Sequence, residues 1–252
     1  MSSERFLWAD WPAPEGVKAL VTTRKGGLSD AGFSSFNLGL YCGDDQDTVR
    51  ANRQLLEQDL DLTTSPLWLK QVHGVAVADA DANAYQQETE ADASVSRQPG
   101  AACAVLTADC LPVLFCNLEG TVVAAAHAGW KGLVAGVLEA TVHSMAVPPQ
   151  TVMAWLGPAI GQHNFEVGPE VREQFLAEDA GCSEAFIPGR GDRWFADLYL
   201  LARRWLSRLG INKVYGGEFC SYDQSDLFYS YRRDGNASGR MASLIWRVPS
   251  LG

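Results

Sequence analysis

Three short apolar runs between residues 102 and 126 constrain the fold of this chain more than any other feature. The runs cover residues 102–106, 112–116 and 121–126, and turn-forming residues separate them. Asn-Leu-Glu-Gly at 117–120 joins the second run to the third and is typical of a hairpin turn. The pattern predicts three consecutive strands, of which the last two pair in antiparallel fashion.

Helical periodicity begins abruptly after residue 127. Apolar residues recur at helical spacing from 133 to 145, directly after Gly-Trp-Lys-Gly at 129–132. Similar patterns predict helices over 47–60, 169–177 and 197–209, the first with Asp47 as its N-cap. Strands are predicted within 5–24 and over 67–80, 152–156, 214–216 and 243–246. Helices and strands are mixed without a regular βαβ rhythm, and tight turns join successive strands. We therefore expect an α+β (mixed α/β) fold in which helices lie outside mixed β-sheets.

Composition restricts the class of partner. Apolar residues make up 47% of the chain and charged residues 20%, as in an ordinary soluble protein. The net charge of −10 argues against a nucleic-acid backbone as the main partner, and no apolar stretch is long enough to span a membrane. The six cysteines form no CxxC pair, which indicates reduced thiols rather than a disulfide scaffold. We therefore expect a cytoplasmic protein with neither a nucleic-acid nor a membrane partner.

His73, Cys110 and His127 form a candidate set of metal ligands. Each lies in or at the end of a predicted strand, beside Gly, Pro or Asp residues that change the chain direction. Two imidazoles and a thiolate suit zinc or copper and leave a fourth position for water or substrate. The alternative is that the histidines are hydrogen-bonded structural residues and that the cysteine is inert core. Convergence of the three side chains in space would separate these interpretations.

Basic residues near these positions are candidates for anion binding. Lys131 lies at the start of the helix predicted after His127, where free backbone N–H groups and an ammonium group attract phosphate. Arg24 follows a strand, and Arg233 lies where aromatic residues alternate with arginines, a pattern suited to stacking on a base and pairing with phosphate. The loop-like composition of residues 232–240 predicts a lid. The alternative is a set of solvated residues paired with nearby carboxylates.

A series of short phrases, in order along almost the whole chain, resembles the YfiH-type laccase-domain family. Members of this family are also described as multicopper polyphenol oxidases and as purine nucleoside phosphorylases. The phrases are Thr-Thr-Arg-Lys-Gly-Gly at 22–27, Asn-Leu-Gly at 37–39, Lys-Gln-Val-His-Gly at 70–74, Ala-Asp-Ala at 91–93, Thr-Ala-Asp-Cys-Leu-Pro at 107–112, His-Ala-Gly-Trp-Lys-Gly at 127–132, Gly-Pro-Ala-Ile-Gly at 157–161 and the Tyr-Arg-Arg segment at 231–233.

The resemblance implies a fold, a metal and an activity. The fold is a single domain, residues 1–252 here, with a layered α/β/β/α sandwich of mixed β-sheets, related to a class of cysteine hydrolases. The implied metal ligands are His73, Cys110 and His127, normally with zinc and with copper as the alternative. The implied activity is phosphorolysis of adenosine, inosine and S-methyl-5′-thioadenosine, accompanied by adenosine deamination, so the partners are a purine nucleoside and phosphate. Some bacterial members are linked to editing of UDP-MurNAc cell-wall precursors.

Three other functions remain open at this point. An ordinary multicopper laccase needs many more histidines than the four of this chain, so polyphenol oxidation is the least favoured. A cysteine hydrolase would use Cys110 as nucleophile and His73 or His127 as base. A non-catalytic module with structural zinc would need a fourth ligand, for which Cys103, Cys116 and His163 are candidates. The oligomeric state is not predicted.

Overall fold

Two β-sheets lie face to face at the centre of the molecule, and helices cover their outer faces. The computed structural model describes residues 4–82 and 89–248. The strands are β1 (Phe6–Trp8), β2 (Val17–Thr22), β3 (Leu69–Lys70), β4 (Val77–Asp79), β5 (Thr89–Glu90), β6 (Ala93–Ser96), β7 (Cys103–Thr107), β8 (Leu111–Asn117), β9 (Val123–Ala128), β10 (Val152–Leu156), β11 (Glu166–Val167), β12 (Phe186–Pro188), β13 (Trp194–Ala196), β14 (Lys213–Gly216) and β15 (Met241–Arg247). The helices are α1 (Gln46–Asp59), α2 (Trp130–Ala135), α3 (Val137–Met145), α4 (Pro169–Glu178), α5 (Leu198–Arg208) and α6 (Tyr231–Asp234).

The two central sheets differ in topology. The four-stranded sheet has the order β1-β2-β15-β7, and all its pairs are antiparallel. The six-stranded sheet has the order β14-β10-β8-β9-β6-β4, with parallel pairs at its two edges and antiparallel pairs between them. Two small sheets, β11-β13-β12 and β3-β5, accompany them. The prediction of mixed sheets is confirmed.

Alternating side chains of the strands fill the space between the two central sheets. Val17, Ala19 and Val21, which lie two residues apart on β2, pack in one apolar cluster with Leu114 of β8 and Trp155 of β10. This cluster is the inner core. Because both faces of each central sheet are covered, these strands are apolar almost throughout, which explains the strength of the signal in residues 102–126.

Helices form the two outer layers. On the four-stranded sheet, Leu20 of β2 packs in a cluster with Leu56 of α1. On the six-stranded sheet, Phe115 of β8 packs with Leu138 of α3 and Leu201 of α5. The order of layers is therefore helix, sheet, sheet, helix, as the α/β/β/α prediction states. Among residues 4–82 and 89–248, no helix has the length and apolar character needed to cross a membrane.

The hairpin predicted at residues 117–120 is present. Gly120 has a φ of 65° and donates its N–H to the Asn117 carbonyl at 3.0 Å. The Asn117 side chain closes the turn further, because its Oδ1 accepts from the N–H groups of Thr121 at 2.8 Å and Val122 at 3.1 Å. The turn joins β8 to β9 in an antiparallel ladder that extends from Cys116 opposite Val123 to Leu111 opposite Ala128.

Four predicted segments differ from the structure in detail. The strand predicted over 67–80 is wrong as a single strand, because only β3 and β4 form and residues 71–76 leave the ladder. The helix predicted from 133 to 145 is divided at Gly136, which has a φ of 96° and ends α2. The N-cap of α1 is Asp45 instead of Asp47, because the Asp45 side chain accepts from the N–H of Thr48. The loop predicted at 232–240 begins inside the short helix α6, whose single turn is too brief to show periodicity.

Candidate metal and active site

The structure brings His73, Cys110 and His127 together, and we refer to these three residues as the metal group. Their ligand atoms all lie within 4.8 Å of one another. The His73 Nε2 atom is 3.8 Å from the Cys110 sulfur, and the two imidazole rings meet edge to face with centroids 4.8 Å apart. Three residues that are far apart along the chain therefore converge, which favours a shared metal ion over three separate structural roles.

The β8–β9 hairpin positions two members of the metal group. His127 lies opposite Pro112, and Leu111 lies opposite Ala128, so Cys110 directly precedes the paired region. On β9, Ala126 and Ala128 pack in the core beneath the helices, which places His127 on the opposite face of the sheet. The register thus sets the spacing of the thiol and one imidazole.

Asp92 supports both histidines, although residue types alone gave us no role for it. Its carboxylate is buried and lies 2.8 Å from Nδ1 of His127. The same carboxylate accepts the backbone N–H groups of Val72, His73 and Gly74 at 3.1, 2.9 and 2.7 Å. These bonds draw residues 72–74 out of the strand predicted there. An aspartate inside the buried phrase Ala-Asp-Ala was the available signal, since a buried carboxylate needs partners.

Gly129 provides the close approach between α2 and the metal group. A Cβ at this position would lie 2.9 Å from the Cys110 sulfur and 2.9 Å from Cδ2 of His73. Gly132, one turn further on, would bring a Cβ to 3.1 Å from the Gly74 carbonyl oxygen. The glycines of the phrase at 127–132 therefore let the start of α2 pack directly on the Cys110 side chain and the His73 loop.

Electrostatics favour the charged forms within this cluster. Burial raises the pKa of Cys110, but the interactions with His127 and His73 outweigh burial and hold this pKa well below its usual range. Burial lowers the pKa of His127, yet Cys110 and the hydrogen bond with Asp92 raise it on balance. Burial also raises the pKa of Asp92, and the hydrogen bonds from His127 and Gly74 lower it on balance. The arrangement favours the thiolate, which is the form that binds metals and acts as a nucleophile.

The donor set fits a zinc ion. Zinc with bonds of about 2.0 Å to nitrogen and 2.3 Å to sulfur holds such ligands roughly 3.5 Å apart in a tetrahedron. The distance of 3.8 Å between His73 Nε2 and the Cys110 sulfur is close to that value. The Nδ1 atom of His127 is bound to Asp92, so Nε2 remains for the ion.

The metal group is open on one side. His73 is exposed, Cys110 is half-buried and His127 is buried, so the group is accessible to solvent from the His73 side. The candidates for a fourth ligand, Cys103, Cys116 and His163, do not belong to the group. Burial also raises the pKa values of Cys103 and Cys116 to about 12, which keeps these thiols protonated.

Asp109 organises the chain on the other side of Cys110. It is buried, and its φ of 92° is in the left-handed region. Its two carboxylate oxygens accept from the Ser221 hydroxyl and from the Arg232 backbone N–H, each at 2.6 Å. Its carbonyl accepts from the N–H of Ile160 at 2.9 Å. Three distant segments are therefore joined at the residue that precedes the thiol.

The predicted phosphate-binding residues have different surroundings. Arg24 donates to the carbonyls of Ser34 and Ser225 at 3.0 and 3.1 Å. Arg233 donates to three carbonyls of residues 221–228 and to Asp234. Lys131 is exposed and lies over the Trp130 ring, at the start of a helix of only six residues. Both arginines therefore hold loops together, and phosphate binding by all three residues stays a prediction.

Known proteins resemble this chain over nearly its full length. Residues 18–248 match the family described as multi-copper polyphenol oxidoreductase laccase. A relative from Escherichia coli K12, named purine nucleoside phosphorylase YfiH, is 53% identical over 97% of this chain and 99% of its own length. A Pseudomonas aeruginosa relative, also named a purine nucleoside phosphorylase, is 52% identical over 96% and 98%.

Solved structures share the same fold. A Neisseria meningitidis protein superimposes with a TM-score of 0.94 at 49% identity, covering 97% of this chain and 100% of its own. YlmD from Geobacillus stearothermophilus superimposes with a TM-score of 0.86 at 26% identity, covering 99% and 98%. The layered arrangement thus recurs in chains that differ widely in sequence.

Proposed function

The chain belongs to the family described as multi-copper polyphenol oxidoreductase laccase, and from this membership we propose that it is a purine nucleoside phosphorylase whose metal group holds zinc. The proposed substrates are adenosine, inosine and S-methyl-5′-thioadenosine, with deamination of adenosine as a second reaction. The observation that carries the proposal is the metal group, because His73, Cys110 and His127 meet at a place that is exposed to solvent on the His73 side.

In phosphorolysis, a phosphate oxygen bonds to C1′ of the nucleoside as the bond from C1′ to the purine nitrogen breaks. The electron pair of that bond leaves with the base, which takes up a proton. When bound, zinc supplies a Lewis acid that polarises oxygen atoms in contact with it. The chain contributes position: the β8–β9 hairpin and Asp92 hold the metal group, and Lys131, Arg24 and Arg233 are the candidates to bind phosphate.

Product analysis tests the proposal. Zinc-loaded protein is incubated with adenosine, with and without phosphate, and adenine, inosine and hypoxanthine are resolved. We expect adenine and hypoxanthine only when phosphate is present, and inosine from deamination in both conditions. His73→Ala should lose bound zinc and all three products, whereas His143→Ala, a change to an exposed histidine on α3, should behave as wild type. Absence of every product from protein with verified zinc would contradict the proposal.

Copper-dependent polyphenol oxidation has less support. Within residues 4–82 and 89–248, the metal group is the only cluster of three or more side chains that could hold a metal ion. Ordinary laccase chemistry requires a trinuclear cluster as well. Metal analysis of the purified protein distinguishes the ions, and we expect one zinc per chain.

A second candidate function is supported by the arrangement of Asp92, His127 and Cys110, in which the imidazole lies between the carboxylate and the thiol. A buried carboxylate bound to one imidazole nitrogen, with a thiol beside the ring, is the order of groups in cysteine hydrolases. Such an enzyme would cleave an amide or ester bond, as editing of a UDP-MurNAc precursor requires. Full activity on such a substrate in chelator-treated protein, lost on alkylation of Cys110, would favour this function over the first.

A further inference from the structure

A single buried carboxylate contacts both histidines of the metal group, by two different routes. Asp92 reaches His127 through the side chain, at 2.8 Å from Nδ1. It reaches His73 through the backbone, by accepting the N–H groups of residues 72–74. The two histidines lie 54 residues apart in the chain. The β6–β9 ladder brings the Asp92 backbone to His127, whose N–H donates to the Asp92 carbonyl at 2.7 Å, and the Asp92 carboxylate extends this link to His73.

The side-chain route sets which nitrogen of His127 faces the metal group. A carboxylate only accepts, so Nδ1 must carry the proton that it shares with Asp92. In the neutral ring, which is the form that binds a metal, the lone pair is then on Nε2, and the ring also interacts with the Cys110 sulfur. A partner of this kind also fixes the rotation of the ring.

The backbone route sets the direction of His73. This residue has a φ of 62°, a left-handed backbone conformation that residues other than glycine rarely adopt. Three successive N–H groups around one carboxylate hold the loop in this conformation, as in a backbone anion nest. The exposed imidazole therefore owes its position to hydrogen bonds of its own backbone and those of its two neighbours.

Each oxygen of the carboxylate has two donors. Oδ1 accepts from the His73 N–H and from Nδ1 of His127, whereas Oδ2 accepts from the N–H groups of Val72 and Gly74. An asparagine at this position has one acceptor oxygen and one NH₂ group. In either orientation of the amide, the NH₂ group would face two donors.

We propose that Asp92 is the positioning residue of the metal group. Its carboxylate orients the imidazoles of His73 and His127 toward a common metal position and so determines metal affinity and coordination geometry. The inference rests on the proposed function only in that the metal group must bind a metal. It does not require a particular substrate.

The test compares Asp92→Asn with Asp81→Asn. Asp81 is a matched control, because its carboxylate also accepts two backbone N–H groups and a hydroxyl, from residues 96–98 at the opposite end of β6. Zinc affinity is measured by competition with a chelator, and coordination by the absorption spectrum of the cobalt-substituted protein. We expect Asp92→Asn to bind zinc about 10–100-fold more weakly and to change the cobalt bands. Asp81→Asn should leave both measurements unchanged.

Two results would overturn the inference. One is a folded Asp92→Asn protein with wild-type zinc affinity and an unaltered cobalt spectrum. The other is available without any variant: in zinc-loaded wild type with ¹⁵N-labelled histidine, nuclear magnetic resonance must show the proton of His127 on Nδ1, and a proton on Nε2 would contradict us. This measurement decides the matter if Asp92→Asn does not fold. Wild type that binds no zinc would instead refute the proposed function, so the two failures are distinguishable.

Discussion

At the residue scale, the lack of a side chain at Gly129 is as important to the metal group as the ligands. We predict that Gly129→Ala lowers zinc affinity and nucleoside turnover by about tenfold or more, because its methyl group would occupy space 2.9 Å from both the Cys110 sulfur and the His73 ring. Chelator competition and product formation measure the two effects. Gly16→Ala is the control, since a Cβ there meets nothing within 4 Å. Wild-type zinc affinity in Gly129→Ala would contradict the packing described above.

Thiol reactivity gives a pH-dependent prediction at the same scale. Since the metal group holds the pKa of Cys110 below its usual range, the thiolate persists as the pH falls below that range. In chelator-treated protein, the alkylation rate of Cys110 should therefore reach half its maximum at a lower pH than that of free cysteine. Peptide mass spectrometry after timed iodoacetamide treatment measures the rate.

The same chain contains the controls for this experiment. Cys103 and Cys116 are buried, with pKa values raised to about 12, and should remain unmodified at neutral pH. Bound zinc should protect Cys110. Equal labelling of the three cysteines, or labelling of Cys110 that zinc does not slow, would contradict the assigned role of the sulfur.

The metal group was accessible to prediction because ligand chemistry is visible in residue types, whereas its supports were not. His73, Cys110 and His127 stand out as two imidazoles and a thiol at strand ends. Asp92 does not, because its importance lies in bonds to backbone groups that the fold alone brings close. The surroundings of Arg233 show the converse: its residue type suggests phosphate, yet its guanidinium group is bonded to three carbonyls and a carboxylate.

At the element scale, the β8–β9 hairpin connects a turn at one end to two members of the metal group at the other. We predict that Asn117→Ala destabilises the protein by about 1–3 kcal/mol, because the buried side chain makes three hydrogen bonds across the turn. Urea unfolding measures the loss. Turnover per folded molecule should stay close to wild type, since the turn is remote from the metal group. No change in the urea midpoint would contradict this role for the turn.

Elements were predictable where local pattern and tertiary contacts agree. The hairpin and α5 follow directly from turn residues and apolar periodicity, and both are present. Residues 67–80 alternate as a strand should, but the N–H groups of residues 72–74 bond to Asp92 instead of to a neighbouring strand. Gly136 divides the helix predicted over 133–145 because its left-handed conformation ends α2, a property that apolar spacing does not record.

At the scale of the whole molecule, three apolar clusters hold four layers together. We predict that the chain unfolds as one cooperative unit, because the strands of each central sheet contribute side chains to two clusters. Far-ultraviolet circular dichroism and tryptophan fluorescence should give coincident urea transitions. Two separated transitions would contradict the prediction of a single domain over residues 1–252.

The layered architecture could be predicted from the family resemblance, and the mixed sheets from the residues themselves. The sequence does not predict which apolar cluster each face of a strand joins. Strands buried on both faces have no polar side that would indicate their orientation. The register that places His127 opposite Pro112 is likewise a property of the assembled sheet.

The ladder between β8 and β9 also constrains how this molecule tolerates changes of length. Inserting one residue midway along β9 would turn the His127 imidazole over to the face that packs on the helices, because side-chain orientation inverts at every residue of a strand. The same insertion in β8 would shift its register against β9 by one residue. Adding two residues to both β8 and β9 near the turn would instead preserve side-chain orientation and strand pairing, and would only lengthen the hairpin. Viable length variants should therefore arise in matched even increments, while odd or one-sided ones lose the metal.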